Sequence, residues 1–249
     1  MFTAADRDRR LADLLTYARS DPTVTAAALV GSAARQETDR WSDIDLALRL
    51  EAGADPVAAA DVWRVQLAHT DEVADHLDLR SGSALYRVFL LADSLQIDLS
   101  FWPAPVFAGN GEPFELLFGE AHPSRTATPP DLHSAIGWAW LYALHARSAL
   151  ARGRPWQALQ MLDGLRDRVL TLACCRHGVP AHQGRGVDRL PSEVLAAVED
   201  TLVARPELTR MAAAFASGIG LLLSEAEYVD PPLAARLRTP LTTLVDTVS

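Results

Sequence analysis

Asp43, Ile44 and Asp45 stand in a row, and Asp98 sits inside a second segment of alternating polarity. Side chains alternate across a strand, so Asp43 and Asp45 share one face while Ile44 and Leu46 take the other. Two carboxylates on one open face repel each other unless a positive charge lies between them. A hard divalent cation with oxygen ligands meets that need. Upstream, the apolar run Ala26-Ala27-Ala28-Leu29-Val30 reads as a strand, and Gly31-Ser32 breaks it to open a short helical turn. Such a turn offers backbone N–H groups and a hydroxyl at a helix start, which suit a phosphate. One stretch of chain therefore provides for both phosphate and metal.

Gly31-Ser32, a spacer of ten residues, then Asp43-Ile44-Asp45 among apolar residues resembles the signature of the DNA polymerase β superfamily of nucleotidyltransferases. Arg35-Gln36 after the Gly-Ser pair and Ser42-Asp43 before Ile44 are most similar to the small antibiotic-modifying members, the aminoglycoside and lincosamide nucleotidyltransferases. That superfamily needs a third carboxylate on a later strand, and Leu95-Gln96-Ile97-Asp98-Leu99-Ser100-Phe101 looks like that strand. The resemblance covers roughly the first half of the chain. It implies transfer of a nucleoside monophosphate from an NTP, with ATP the expected donor, to a hydroxyl, with release of pyrophosphate. It implies that Asp43 and Asp45 bind two Mg²⁺ ions and that Asp98 binds the one activating the acceptor hydroxyl. Gly31 and Ser32 would hold the β- and γ-phosphates, Arg35 would neutralise them, and Ser42 would lie nearby. The acceptor's general base stays open among Glu112, Glu115, Glu120, Asp163 and Asp167, with Asp98 able to share the proton.

The elements that must position these groups follow from periodicity. Leu11, Leu14, Leu15 and Ala18 recur at helical spacing, and Asp21-Pro22 ends that helix. Asp55-Pro56 opens another, with an N-cap and a proline at the first helical position. Residues 71–83 are ambiguous between helix and strand. Leu85 to Leu91, a turn at Ala92-Asp93-Ser94, and Leu95 to Trp102 read as a β-hairpin. Prolines and glycines from Pro103 to Pro130 read as a loop. Beyond it the pattern is helical, over about 131–152, 155–177, 191–204, 206–228 and 231–247, with a polar, flexible loop at 182–189. The expected architecture is α+β: a small mixed β-sheet nucleotidyltransferase domain over 1–125, then an all-α helical bundle over 126–249. The resemblance implies that this second domain covers the cleft and shapes the acceptor site.

The 249 residues are 49% hydrophobic, enough for one large or two modest cores. Net charge is -9. Residues 1–125 carry 20 acids against 11 Arg, and the remainder carries 12 of each. An acidic catalytic half disfavours tracking a nucleic-acid backbone and suits a small cationic, hydroxyl-bearing acceptor. All 23 basic residues are Arg, so a phosphate loop that needs Lys is excluded. Cys174 and Cys175 are adjacent in a helical pattern, a poor arrangement for a disulfide or a metal site. Trp138 and Tyr142 share one side of a helix as either core or an aromatic wall, Trp140 faces elsewhere, and His145 follows on the same helix. No signal peptide or long apolar span is evident, so a cytoplasmic protein free of membrane is expected. Protein AMPylation of the antitoxin type is the chief alternative function. A nonenzymatic binding module and RNA tailing are weaker ones.

Overall fold

The computed structural model describes every residue except Asn110, Glu112, Ala127 and Ser249. The chain divides into two compact units, Met1–Thr128 and Pro129–Ser249. The first is built on a sheet and the second is helical, so the α+β order expected from the sequence is the order observed.

The first unit runs α1 (Ala4–Ser20), β1 (Val24–Val30), α2 (Gly31–Ala34), β2 (Ile44–Leu50), α3 (Pro56–Thr70), β3 (Val73–Ser81), β4 (Ala84–Leu91), β5 (Gln96–Trp102) and β6 (Phe114–Phe118). Thr3 caps α1 in a reciprocal capping box with Asp6, and Asp55 caps α3 ahead of Pro56. The six strands lie in the order β3-β4-β5-β2-β1-β6. All neighbours are antiparallel except β2 and β5, which run parallel after a crossover through α3, β3 and β4.

Alternation sorts the sheet into two faces. Ile44, Leu46, Leu48 and Leu50 of β2 and Ile97, Leu99 and Phe101 of β5 are buried with Leu14 and Ala18 of α1 and Ala60, Trp63 and Leu67 of α3. Trp63 sits edge-on to Tyr17 and Phe101 and donates its indole N–H to Asp21 at 2.9 Å. Burying a side chain of this size contributes about 3 kcal/mol. The opposite face holds a smaller cluster of Ala26, Ala28, Ala47 and Phe107. The rest of that face carries the carboxylates.

One segment settles an ambiguity of the sequence and another departs from its reading. Residues 71–83, ambiguous in sequence, contain edge strand β3, whose residues are almost all exposed, so no buried stripe marks it. Phe114–Phe118 is a strand inside what reads as a loop. It has five residues without alternation, and it exists because β1 offers an open edge to pair with.

Beneath the sheet an ion cluster ties β3, β4 and α3 together. Arg87 of β4 has a side chain only 3% exposed. It grips Asp78 of β3 with two hydrogen bonds of 2.6 and 2.7 Å and Asp61 of α3 with one of 2.8 Å. The two-pronged hydrogen bond to Arg87 holds the Asp78 carboxyl below the usual range.

The second unit comprises α4 (Leu132–Ala151), α5 (Pro155–Arg176), α6 (Ser192–Glu199), α7 (Leu208–Val229) and α8 (Pro231–Asp246). Its core is rich in small residues, with Ala139, Ala143 and Ala146 of α4 fully buried. Gly164 of α5 leaves room for the Tyr142 ring, which a Cβ there would meet at 2.7 Å. Arg176 of α5 makes two hydrogen bonds, of 2.9 and 2.8 Å, to the buried Glu225 of α7 and lies 4.4 Å over the Tyr228 ring. Residues 182–189, read as a flexible loop, hold two short 3-10 turns. α6 stops at Glu199, short of the 204 expected, because Thr201 turns back to bond the Val198 carbonyl and its own carbonyl accepts from Arg166.

Removing one partner of a buried charge is costly because the other remains without compensation. Asp78→Asn is expected to lower stability by about 2 kcal/mol, a figure reduced because Asp78 is partly exposed. Asp61→Asn, which removes a single bond from a more exposed carboxylate, should cost under about 1 kcal/mol. Urea unfolding midpoints of the two variants check the difference.

Candidate active site

The parallel register of β2 and β5 sets Asp45 directly opposite Asp98. Asp43 precedes β2 by one residue. One carboxylate oxygen from each of Asp43, Asp45 and Asp98 can be chosen so that all three lie within 4.8 Å of one another. These are the three carboxylates expected from the sequence, and the fold brings them together on one face. All three are half-buried.

Gln96, one turn of the pleat before Asp98, donates from its side-chain amide to Asp98 at 3.0 Å and to Asp43 at 3.3 Å. It bridges two like charges with a neutral donor. Alternation places it on this face, but a glutamine carries no sequence signal for such a role. Val88 of β4 is the other neighbour of Asp98. Burial pushes the Asp98 carboxyl up to about 6, the Gln96 hydrogen bond opposes that rise, and the Asp43 charge adds to it.

Gly31 stands against this cluster. Its φ is +64°, in the left-handed region, and a Cβ there would collide with the Asp45 carboxylate. Both facts require glycine: the turn needs the backbone angle and the carboxylate needs the space. The turn of Gly31–Ala34 starts from Val30, which gives it no side-chain cap. The Ser32 carbonyl accepts from the N–H of Arg35 at 3.2 Å and of Glu37 at 3.1 Å, which closes the turn.

The remaining expected residues lie in the connection to β2. The Arg35 side chain pairs with Glu37 at 2.8 Å across Gln36, whose φ of 58° is also left-handed. The Ser42 hydroxyl accepts from the Asp39 N–H at 2.9 Å and donates to the Asp39 carboxylate at 3.1 Å. The same carboxylate accepts from the Trp41 N–H at 2.8 Å, and these bonds hold it below its ordinary range. Ser42 thus orders the loop that delivers Asp43. Buried Arg7 of α1 completes the support by donating to the Asp39 carbonyl. Arg7 is not legible in the sequence, because its contact with Asp39 spans 32 residues.

The general-base candidates fare differently. Glu115 of β6 pairs with Leu29, and Leu29 pairs with Leu46, so Glu115 faces away from the carboxylate side. Glu120 is exposed after β6, and Glu112 lies outside the described residues. In the helical unit Asp163 bonds Arg166 and Asp167 pairs with Arg168 at 2.9 Å. Trp138 is half exposed and leans on Tyr142 with ring centroids 5.9 Å apart. Trp140 packs on the helical core, and His145 is exposed. Cys174 and Cys175 are both free thiols.

No family model matches the chain, and no curated protein matches it in sequence. Among solved structures, the chain aligns over 98% of its length with 99% of a chain described as the crystal structure of an aminoglycoside 6-adenyltransferase from Bacillus subtilis. The identity is 11% and the TM-score 0.41. A likeness this loose adds nothing to the reading of the site, which rests on its own geometry. No helix among the described residues is long and apolar enough to cross a membrane.

Two outcomes follow from this geometry. Gly31→Ala is expected to cost about 1–2 kcal/mol from the backbone angle alone and to push Asp45 out of register with Asp98. Calorimetric titration with Mn²⁺ should show weakened binding relative to the parent chain. The second concerns pH. The unfolded chain ionises Asp98 near 3.8 and the folded chain near 6. The folded state therefore favours the protonated form, and ionised Asp98 costs stability increasingly as pH rises between those values. A cation needs the ionised form, so its binding should weaken below about pH 6 and release a proton there. Titrations at pH 5.5 and 8 in buffers of different ionisation enthalpy count that proton.

Proposed function

We propose that the chain is a metal-dependent nucleotidyltransferase that moves a nucleoside monophosphate from an NTP, with ATP the expected donor, to a hydroxyl of a small molecule. One observation carries the reading. The parallel register puts Asp45 opposite Asp98, with Asp43 close by, in front of a Gly31-Ser32 turn that no side chain caps. Among the described residues the cluster offers carboxylate oxygens, which suit hard divalent cations such as Mg²⁺.

In this reading Asp43, Asp45 and Asp98 hold two Mg²⁺ ions. Metal bound there supplies Lewis acidity toward the phosphate and lowers the pKa of the attacking hydroxyl. The chain's own groups do the rest. Gly31 gives the phosphates close access to the backbone, and Ser32 offers its hydroxyl. Arg35 balances the charge that grows on the leaving pyrophosphate, after exchanging Glu37 for phosphate oxygens. Asp98, half-buried beside Asp43 and Asp45, shares the acceptor's proton or passes it on. Gln96 keeps Asp43 and Asp98 aligned through the cycle.

The acceptor class follows from charge and from the resemblance. Met1–Thr128 carries the whole excess of -9, which attracts a cationic polyhydroxylated molecule of the aminoglycoside type. A lincosamide is the neutral or weakly basic counterpart. We assign acceptor selection to the helical unit, where half-exposed Trp138 presents an aromatic face backed by Tyr142.

Pyrophosphate release from ATP, GTP, CTP and UTP with a panel of aminoglycosides and lincosamides is the direct measurement. Asp45→Asn and Asp98→Asn should each lower kcat/KM by about 10²-fold or more, since the lost carboxylate stabilises charge in the transition state. The rate on a cationic acceptor should fall as ionic strength rises, while the rate on a neutral one stays level. Release no greater than that of Asp45→Asn with every acceptor would sink the small-molecule reading and put hydroxyls of a partner protein first.

A further inference from the structure

We infer that the acceptor is amphipathic, and that its apolar arm lies on a shelf of Leu77, Leu79, Tyr86, Val88 and Leu90 beside the carboxylates. This rests on the transferase reading and adds two things to it: the side from which the acceptor approaches, and the chemistry of its far end.

Cross-strand register builds the shelf. Asp45 of β2 lies opposite Asp98 of β5, Asp98 opposite Val88 of β4, and Val88 opposite Leu77 of β3. Residues directly opposite share a face, so a row Asp45-Asp98-Val88-Leu77 crosses the carboxylate side of the sheet. The next row on that face is Ala47-Ser100-Tyr86-Leu79. Leu90 follows Val88 on β4 and stands opposite Gln96. Strands lie about 4.8 Å apart, so Val88 is one spacing from Asp98 and Leu77 is about 10 Å away.

These side chains are open to a ligand. Leu77, Leu79 and Leu90 are 58%, 50% and 48% exposed, and Tyr86 and Val88 are half-buried. Nearer β1 the same face is closed by Phe107, which packs with Ala26, Ala28 and Ala47. His76, Asp78 and Arg80 of β3 point to the other face, and Asp75, opposite Leu90, bounds the shelf with a charge. Large apolar groups exposed side by side mark a binding surface.

Position identifies the occupant. A Cβ on Gly31 would collide with the Asp45 carboxylate, so the Gly31-Ser32 turn borders the cluster from the side of β1 and β2. Phosphoryl transfer is an in-line displacement, with entering and leaving oxygens on opposite sides of the phosphorus. The acceptor oxygen bonds to the α-phosphorus, the α–β bridging bond breaks, and pyrophosphate leaves with the electron pair. The hydroxyl proton passes to solvent by way of Asp98. With pyrophosphate at the turn, the hydroxyl enters from the side of β5 and β4. The rest of its molecule then extends over Val88 and Leu77. Aliphatic side chains offer no donor or acceptor to the edge of a nucleobase and suit an alkyl or alicyclic group. An acceptor that is polar on every side would leave them wet.

Methyl and hexyl glucoside, below micelle formation, present the same hydroxyls with and without an apolar arm. In a titration followed by the methyl resonances of the chain, hexyl glucoside should shift those of Leu77, Leu79, Val88 and Leu90. It should bind about 30-fold tighter than methyl glucoside, about 2-fold for each of five added methylenes buried on one side. The double variant Leu77→Asn, Val88→Thr should bring that ratio toward one, while unchanged Mn²⁺ binding shows that the carboxylate cluster is intact. With an acceptor that supports pyrophosphate release, the same variant should raise the KM for acceptor several-fold more than the KM for NTP. Equal affinity for the two glucosides overturns the shelf, as does a ratio that survives the double variant. So do shelf resonances that move with Mg-ATP alone, which would give the surface to the nucleobase. No pyrophosphate release with any acceptor instead overturns the transferase reading, and with it the occupant's identity, so the two failures are told apart.

Discussion

Three carboxylates held within 4.8 Å of one another repel, and the fold must hold them there before any ligand arrives. The parallel pairing of β2 with β5 does this. Two strands far apart in sequence are locked in register by apolar residues on the far side, from Ile44 to Leu50 and from Ile97 to Phe101, all buried under α1 and α3. A slip of one residue would turn every carboxylate into that core and every leucine into water. The electrostatic cost on one face is thus offset by packing on the other. Burial raises the Asp98 pKa, Gln96 opposes the rise, and the charge of Asp43 adds to it.

Much of this was readable without coordinates. Asp43-Ile44-Asp45 and Asp98 sit in alternating segments, and alternation alone predicts that Asp43 and Asp45 share a face. Gly31 marks a turn, and its second reason for being glycine, the Asp45 carboxylate in front of it, needs the fold. The hairpin of β4 and β5 and the five helices after residue 130 follow from turn residues and periodicity, to within a few residues except at α6. β3 and β6 were not legible, because each is an edge strand defined by the neighbour it pairs with rather than by its own pattern. The direction of Glu115 was equally hidden, since register with Leu29 decides it.

The helical unit obeys a different rule. Its helices approach closely because small residues line their contacts. Gly218 of α7 meets the Leu165 side chain at the distance where a Cβ would already crowd it. Close helices leave little room for polar groups, and the buried carboxylate of Glu225 is matched by two donors of Arg176. Trp138 of α4 stands half exposed outside this core and leans on Tyr142, whose ring is packed against it.

α1 lies on the far side of the sheet from the carboxylates, yet Arg7 reaches the Asp39 carbonyl and fixes the loop that delivers Asp43. The loop ahead of Asp43 is thus held twice, by Ser42 from within and by Arg7 from the helix behind the sheet. A change that undocks the first turn of α1 therefore reaches Asp43 through the loop without touching a strand.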